Sequence, residues 1–162
     1  MIEIRVARPS DAPELVRLRR LMFGDMEGEG APGAWEADAV EMAREQLSVP
    51  SPRLGAFVVD GTDEDGRPLL AACAVGSVET RLPGPRRPTG LFGFIFNVCT
   101  DPRYRGRGYA RATTEALLDW FAEQGVSRVD LHASEDAEPL YRSLGFHEHS
   151  IALSLDVSGR GR

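Results

Sequence analysis

The chain has 162 residues, 42% of them hydrophobic and 27% charged, with a formal net charge of −6. That length suits one domain with its own hydrophobic core, and the composition is that of an ordinary soluble globular protein. The acidic balance argues against non-specific nucleic-acid binding, and no apolar run approaches the ~18 residues that a membrane span requires.

Ile2, Ile4 and Val6 alternate with Glu3 and Arg5, so a strand is expected first. These residues lack the apolar core of a secretory signal, which makes a cytoplasmic location the expectation. Pro9-Ser10-Asp11 reads as a turn into a helix, with Ser10 as N-cap and Pro13 in the first turn. Leu15, Leu18, Leu21 and Met22 recur at helical spacing up to Gly24. The connector from Gly24 to Gly33 carries Asp25, Glu27 and Glu29. It is either a solvated surface loop or a set of carboxylates that draws in a cationic amine. A second helix is expected from Trp35 to Leu47, stopped by Pro50 and Pro52.

Leu54 to Asp60 and Leu69 to Val78 read as hairpin strands around the turn residues Gly61 to Gly66. Arg81 to Gly90 reads as an exposed loop; its arginines lack the interleaved aromatics of a nucleic-acid surface. Leu91 to Thr100 is apolar on both faces, with Phe92, Phe94, Phe96 and Val98 on one and Leu91, Ile95 and Cys99 on the other. A central strand covered on both sides is expected. Cys73 and Cys99 each lie in an apolar run and read as buried free thiols in a reducing compartment. His132, His147 and His149 are scattered and do not form a metal site.

After a turn at Asp101-Pro102 comes Arg105-Gly106-Arg107-Gly108-Tyr109-Ala110-Arg111, then a helical pattern running to Gly125. Strand, glycine loop and helix together present bare N–H groups at a helix N-terminus, which carries about half a positive charge and binds anions. Gly106 and Gly108 let a phosphate approach the backbone, and Arg105, Arg107 and Arg111 add charge. In the helix, Tyr109, Ala112, Ala116, Leu117, Trp120 and Phe121 form the apolar stripe, opposite Arg111, Glu115, Asp119 and Glu123. A strand from Val126 to Ala133 and a short helix from Ser134 to Leu144 follow. Ser134 or Asp136 caps that helix, and Pro139 in its first turn favours Asp136. Phe146 to Val157 reads as a last strand or hairpin arm, and residues 158–162 as a flexible tail. With no internal linker, residues 1–157 are expected to form a single domain.

Arg105-x-x-Gly108-x-Ala110 resembles the pyrophosphate-binding motif of the GNAT superfamily of N-acetyltransferases, Gln/Arg-x-x-Gly-x-Gly/Ala. One strand later, Ala137-Glu138-Pro139-Leu140-Tyr141-Arg142-Ser143-Leu144-Gly145-Phe146 resembles the family's other recurrent signature, Ala-x-x-Leu-Tyr-x-x-Leu-Gly-Phe. The two stand in the family's order, and the resemblance covers nearly the whole chain. One departure is Ser134, where many members carry Asn; Ser can still cap the short helix.

The resemblance implies an α/β (α+β) fold, with a mixed, mostly antiparallel central sheet flanked by helices and splayed at its centre. It implies acetyl-CoA as cofactor, its phosphates held by Arg105, Gly106, Arg107, Gly108, Tyr109, Ala110 and Arg111, chiefly through backbone N–H groups. The pantetheine arm would pair with backbone groups of Val98 and Thr100, a nearby N–H would serve as oxyanion donor, and Tyr141 would be the general acid. The acceptor would be a primary amine of a small molecule or peptide, with no metal, nucleic acid or membrane involved; a homodimer is compatible with this. A general base is not singled out: Glu79 ranks no higher than Asp25, Glu27 or Glu29. Two other functions compete. One is a non-catalytic acyl-CoA-binding or sensing module on the same fold. The other is a dinucleotide-binding oxidoreductase, with Gly106, Gly108 and Asp130 in fingerprint positions but Arg111 in place of the third glycine.

Overall fold

A computed structural model describes residues 1–27 and 33–161, with the side chains of residues 25–27 excepted. It divides into two compact units, Met1–His132 and Ala133–Arg162. Among the described residues no helix is long and apolar enough to cross a membrane.

The first unit is a sheet of five strands in the order β1-β2-β3-β4-β5: β1 Arg5–Val6, β2 Leu54–Thr62, β3 Pro68–Thr80, β4 Leu91–Thr100 and β5 Val129–Leu131. The first four pair antiparallel, and β5 alone runs parallel to β4. Helix α1 spans Ala12–Glu27, α2 Trp35–Leu47 and α3 Tyr109–Glu123.

The two faces of the sheet are built differently. On the α1 face, Leu15 and Leu18 pack into Ala56, Val58, Cys73, Val75 and Cys99. On the α3 face, glycines make room for aromatic rings. A methyl group at Gly93 would lie 2.8 Å from the Phe121 ring, and one at Gly55 would lie 2.5 Å from the Trp120 ring. Leu117 and Phe121 are fully buried, each contributing on the order of 2 kcal/mol through burial. Thr113 and Thr114 share that buried face, so the helix is anchored less by Ala112 and Ala116 than its sequence suggested. Thr113 is accommodated because its hydroxyl donates to the Tyr109 carbonyl one turn back, at 2.8 Å.

A bulge divides β4. Gly76 faces Ile95 and Val75 faces Asn97, so Phe96 is an extra residue in the ladder. An extra residue reverses the alternation beyond it. Ile95 therefore stays with Gly93 on the α3 face, while Asn97 and Cys99 turn to the α1 face. This corrects the grouping of Ile95 with Cys99, because a strict period of two has no place for a bulge.

Other boundaries shift. The first strand has only two residues and the fifth only three, shorter than their apolar patterns. The entry to α1 is a 3-10 turn at Pro9–Asp11, whose closing bond runs from the Arg8 N–H to the Asp11 carboxylate at 2.7 Å; Ser10 does not cap it. Helix α1 continues past Gly24 to Glu27.

In the second unit, α4 spans Glu138–Ser143. Its entry is set by Ser134, whose hydroxyl accepts the Ala137 N–H at 3.3 Å and whose carbonyl accepts the Glu138 N–H at 2.9 Å. Asp136 does not have that role. The predicted last strand is absent among the described residues. Ile151, Leu153, Leu155 and Val157 alternate as a strand should, yet all four side chains are exposed and no ladder includes them. Alternation expresses a capacity to pair, and a strand forms only where a neighbour completes its hydrogen bonds.

Candidate active site

The strand β4 offers a bare backbone edge. Asp101, just past its end, donates its N–H to the Ala71 carbonyl at 2.8 Å. Antiparallel bonding alternates along a strand, so Cys99 and Asn97 also turn their backbone groups to β3, while Val98 and Thr100 turn theirs away. On that other side β5 pairs only with Gly93, Phe94 and Ile95. The N–H and C=O groups of Val98 and Thr100 thus lie where the sheet has parted. The splay expected between central strands is this gap.

The open edge leads directly into the glycine loop. Asp101 accepts the Arg103 N–H at 2.9 Å and starts a 3-10 turn, Pro102–Tyr104. The Tyr104 hydroxyl accepts the Thr62 N–H at 2.8 Å and donates to the Thr62 carbonyl at 3.0 Å, which fastens the loop to the end of β2. Gly106 and Gly108 then take φ values of +79° and +81°, a region that side chains rarely enter. Gly108 is the N-cap of α3 and has no side chain to close it; the first intrahelical bond runs from Ala112 to the Gly108 carbonyl at 3.1 Å. Tyr109 and Ala110 therefore have no intrahelical acceptor for their N–H groups. Among the described residues none accepts the N–H of Gly106, Arg107 or Gly108 either.

The arginines do different things. Arg105 donates to the Thr100 carbonyl at 3.4 Å, linking loop and edge. The Arg107 guanidinium lies 5.0 Å from the centre of the Tyr104 ring, and Tyr104 stacks on Tyr109 at 6.0 Å. Arg111 reaches Glu115 one turn along α3, at 3.4 Å. All the predicted cofactor-binding residues, Val98 and Thr100 through Arg111, thus lie on one continuous path.

Tyr141 sits in the second unit, on α4. It is buried, packs edge-on against Phe146 with ring centres 5.9 Å apart, and burial raises its pKa above the ordinary phenol value. A phenol so raised keeps its proton at neutral pH. Gly145, at φ +104°, ends the helix and lets the Phe146 N–H return to the Tyr141 carbonyl at 3.0 Å.

The sequence model of the acetyltransferase (GNAT) family matches residues 15–146, which include both the open edge and Tyr141. This chain belongs to the acetyltransferase (GNAT) family. Acetyl-CoA is the cosubstrate that family uses. The chain is similar to the glucosamine 6-phosphate N-acetyltransferase of Trypanosoma brucei brucei, 37% identical over 65 residues, covering 40% of this chain and 44% of that protein. It is also similar to the [ribosomal protein bS18]-alanine N-acetyltransferase of Salmonella typhimurium, 34% identical over 70 residues, 41% of this chain and 47% of that one. The chain thus spans less than half the length of these curated relatives. A predicted acetyltransferase from Clostridium acetobutylicum, solved with acetyl-CoA, shares the fold at a TM-score of 0.81 and 23% identity, over 100% of both chains.

Within this acetyltransferase-family fold, sequence reasoning missed the groups that hold the loop. Asp101 is fully buried and is met by two guanidinium groups, Arg17 at 2.8 Å and Arg103 at 3.0 Å. Burial pushes its carboxyl up, but the Arg103 N–H and the Arg17 and Arg103 bonds outweigh that and hold it below the ordinary value. Arg17 also pairs with Glu14, which accepts the Leu70 N–H at 2.8 Å. Asp101-Pro102 had read only as a turn, and Arg17 had not been singled out. Their meeting across 84 positions leaves no local sequence signal.

The candidate bases come out unequally. Glu79 faces Arg81 at 3.4 Å on β3. Glu29 and the side chains of Asp25 and Glu27 lie outside the described residues. Cys73 and Cys99 form no disulfide, are buried and stand directly opposed across β3 and β4. Burial pushes the Cys73 thiol up to about 12, so it remains protonated and unreactive.

Proposed function

We propose that this chain is an N-acetyltransferase that moves the acetyl group of acetyl-CoA to a primary amine of a small molecule or peptide by direct attack, with residues 1–157 acting as one domain. One observation carries the reading: the edge of β4 at Val98 and Thr100, which no strand pairs among the described residues, runs straight into a loop where none of those residues accepts the N–H of Gly106, Arg107 or Gly108. The names of the relatives support an amine acceptor without choosing one, since they include an amino sugar phosphate and a ribosomal protein alanine. Two buried, unlinked cysteines fit a reducing compartment, and we read the protein as cytoplasmic.

Acetyl-CoA supplies an activated acetyl thioester. The amides from Gly106 to Ala110, with Arg105, Arg107 and Arg111, hold its pyrophosphate. The Val98 and Thr100 edge pairs with the pantetheine amides as a strand would, and the Val98 N–H donates to the thioester oxygen as negative charge develops there. The neutral amine attacks the carbonyl carbon, the carbon–sulfur bond breaks, the Tyr141 hydroxyl gives its proton to the departing thiolate, and the proton that the nitrogen loses returns through solvent to the tyrosinate. The products are the N-acetylated amine and free coenzyme A. Holding both reactants in line supplies much of the acceleration.

The test is thiol release from acetyl-CoA with a panel of primary amines. Tyr141→Phe is expected to lower kcat by about 100-fold while acetyl-CoA still binds. Full activity of Tyr141→Phe would remove the acid role. Tight acetyl-CoA binding with no transfer to any amine would favour the binding-module reading.

A further inference from the structure

On the α1 face, beside the bulge in β4, a guanidinium meets no counter-ion among the described residues. Arg19 is half-buried, and burial draws its pKa below the ordinary arginine value. Its neighbours on α1 are neutralised: Arg17 by Glu14 and Asp101, Arg20 by Glu36 at 3.1 Å. For Arg19, no carboxylate among the described residues lies within ion-pair distance. One of its N–H groups donates to the Asn97 side-chain oxygen at 3.1 Å. Asn97 is only 3% exposed, and its own amide donates to the Cys73 sulfur at 3.4 Å, so it is fixed. The guanidinium faces two rings, Phe23 at 4.6 Å and Phe96 at 5.7 Å.

Phe96 is the extra residue of the bulge, which is why Phe96 and Asn97, adjacent in sequence, both reach Arg19. An arginine carries five N–H donors in a fixed fork, and Asn97 takes one. Partial burial of a cation is unfavourable unless an anion accompanies it. The chain's charge of −6 repels anions as a whole, so any anion bound here is recognised locally.

We infer that Arg19 receives an anionic oxygen group on the acceptor, a phosphate or a carboxylate, while the acceptor's amine faces the Val98 edge. The inference rests on the acetyl-transfer reading and narrows it to amines that carry an oxyanion. Phe23 and Phe96 fix the plane of the fork, Asn97 fixes its rotation, and the remaining N–H groups donate to the two oxygens side by side.

The experiment compares amines that differ in the anion: ethanolamine, O-phosphoethanolamine and β-alanine, then glucosamine against glucosamine 6-phosphate. The expected kcat/KM ratio of anionic to neutral amine is at least about tenfold in the wild type. In Arg19→Gln that ratio falls by about tenfold or more, and Arg19→Lys lies between. O-phosphoethanolamine and β-alanine separate phosphate from carboxylate recognition. A ratio near one in the wild type overturns the inference, and so does a ratio that survives in Arg19→Gln. A tie between Arg19 and the acidic connector predicts that second result, with stability lost and selectivity kept. A turnover-independent arm separates the two readings: O-phosphoethanolamine, but not ethanolamine, raises the Tm of the wild type with coenzyme A present, and Arg19→Gln abolishes that rise. If this arm holds while no amine is acetylated, the anion site stands and acetyl transfer falls. If amines are acetylated without preference, transfer stands and the anion site falls.

Discussion

The two halves of β4 belong to one continuous strand and have opposite fates. From Gly93 to Ile95 the strand has a partner on each side, β3 and β5, and the Phe121 ring packs over Gly93. From Phe96 to Thr100 it keeps β3 and loses β5. The first half is held by backbone ladders and packing. The second has only one ladder, and a set of charges at its end replaces the missing neighbour. The bulge at Phe96 marks the change. What separates stability from chemistry here is therefore pairing rather than hydrophobicity: the half that keeps unsatisfied backbone groups is the half able to bind a ligand.

The sharpest way to break this contrast is to remove the charges that hold the open half. Asp101→Asn leaves Arg17 partly buried beside a neutral amide and is expected to lower stability by about 3 kcal/mol. Its pH dependence carries a sign. The folded Asp101 pKa is depressed, so its contribution is present above the ordinary carboxylate range and is lost as pH falls through the folded value. Wild type should lose stability below about pH 4 more steeply than Asp101→Asn, as read by thermal melts across pH. Parallel curves for the two proteins would mean that Asp101 does not anchor the open half.

A smaller effect tests the closed half. Gly93→Ala drives a methyl group into the Phe121 ring, 2.8 Å away, and should cost about 1–3 kcal/mol through overpacking. Adding Phe121→Leu should recover part of that loss in a double-mutant cycle, because the two changes share one space. Additive losses would show that the notch and the ring are not coupled. Acetyl-CoA affinity of the folded protein should be nearly unaffected, since Gly93 lies where β4 is fully paired.

The contrast also explains what could be read from the sequence. Helix α2, the hairpin of β2 and β3, and β4 itself announced themselves through local pattern, β4 with its exact ends at Leu91 and Thr100. The glycine loop was legible because positive φ and bare amides need glycine at fixed spacing. Three things were not legible. A bulge leaves no mark on an apolar run, so the grouping of Cys99 with Ile95 came out wrong. Contacts between α1 and the end of β4, an ion pair for Asp101 and a hydrogen bond to Asn97 for Arg19, join residues far apart in sequence, so neither Asp101 nor Arg19 stood out. The alternation from Ile151 to Val157 looked like a strand because sequence records which side chains a strand prefers, not whether a partner edge is in reach.

The smallest stability effect gives the closest test of the loop. At Gly106 a methyl group meets nothing within 4 Å, so Gly106→Ala adds backbone strain at φ +79° and no clash with the protein. The strain should cost about 1 kcal/mol of stability. If the loop amides cradle a pyrophosphate, that empty space is where the ligand approaches, and the same methyl should weaken acetyl-CoA binding by about tenfold or more. Calorimetric titration of acetyl-CoA into the folded variant, beside its thermal melt, separates the two effects. A loss of affinity well beyond the loss of stability means the space belongs to the ligand. Affinity equal to wild type would mean that the phosphates sit elsewhere, and the open half of β4 would then lead into an empty loop.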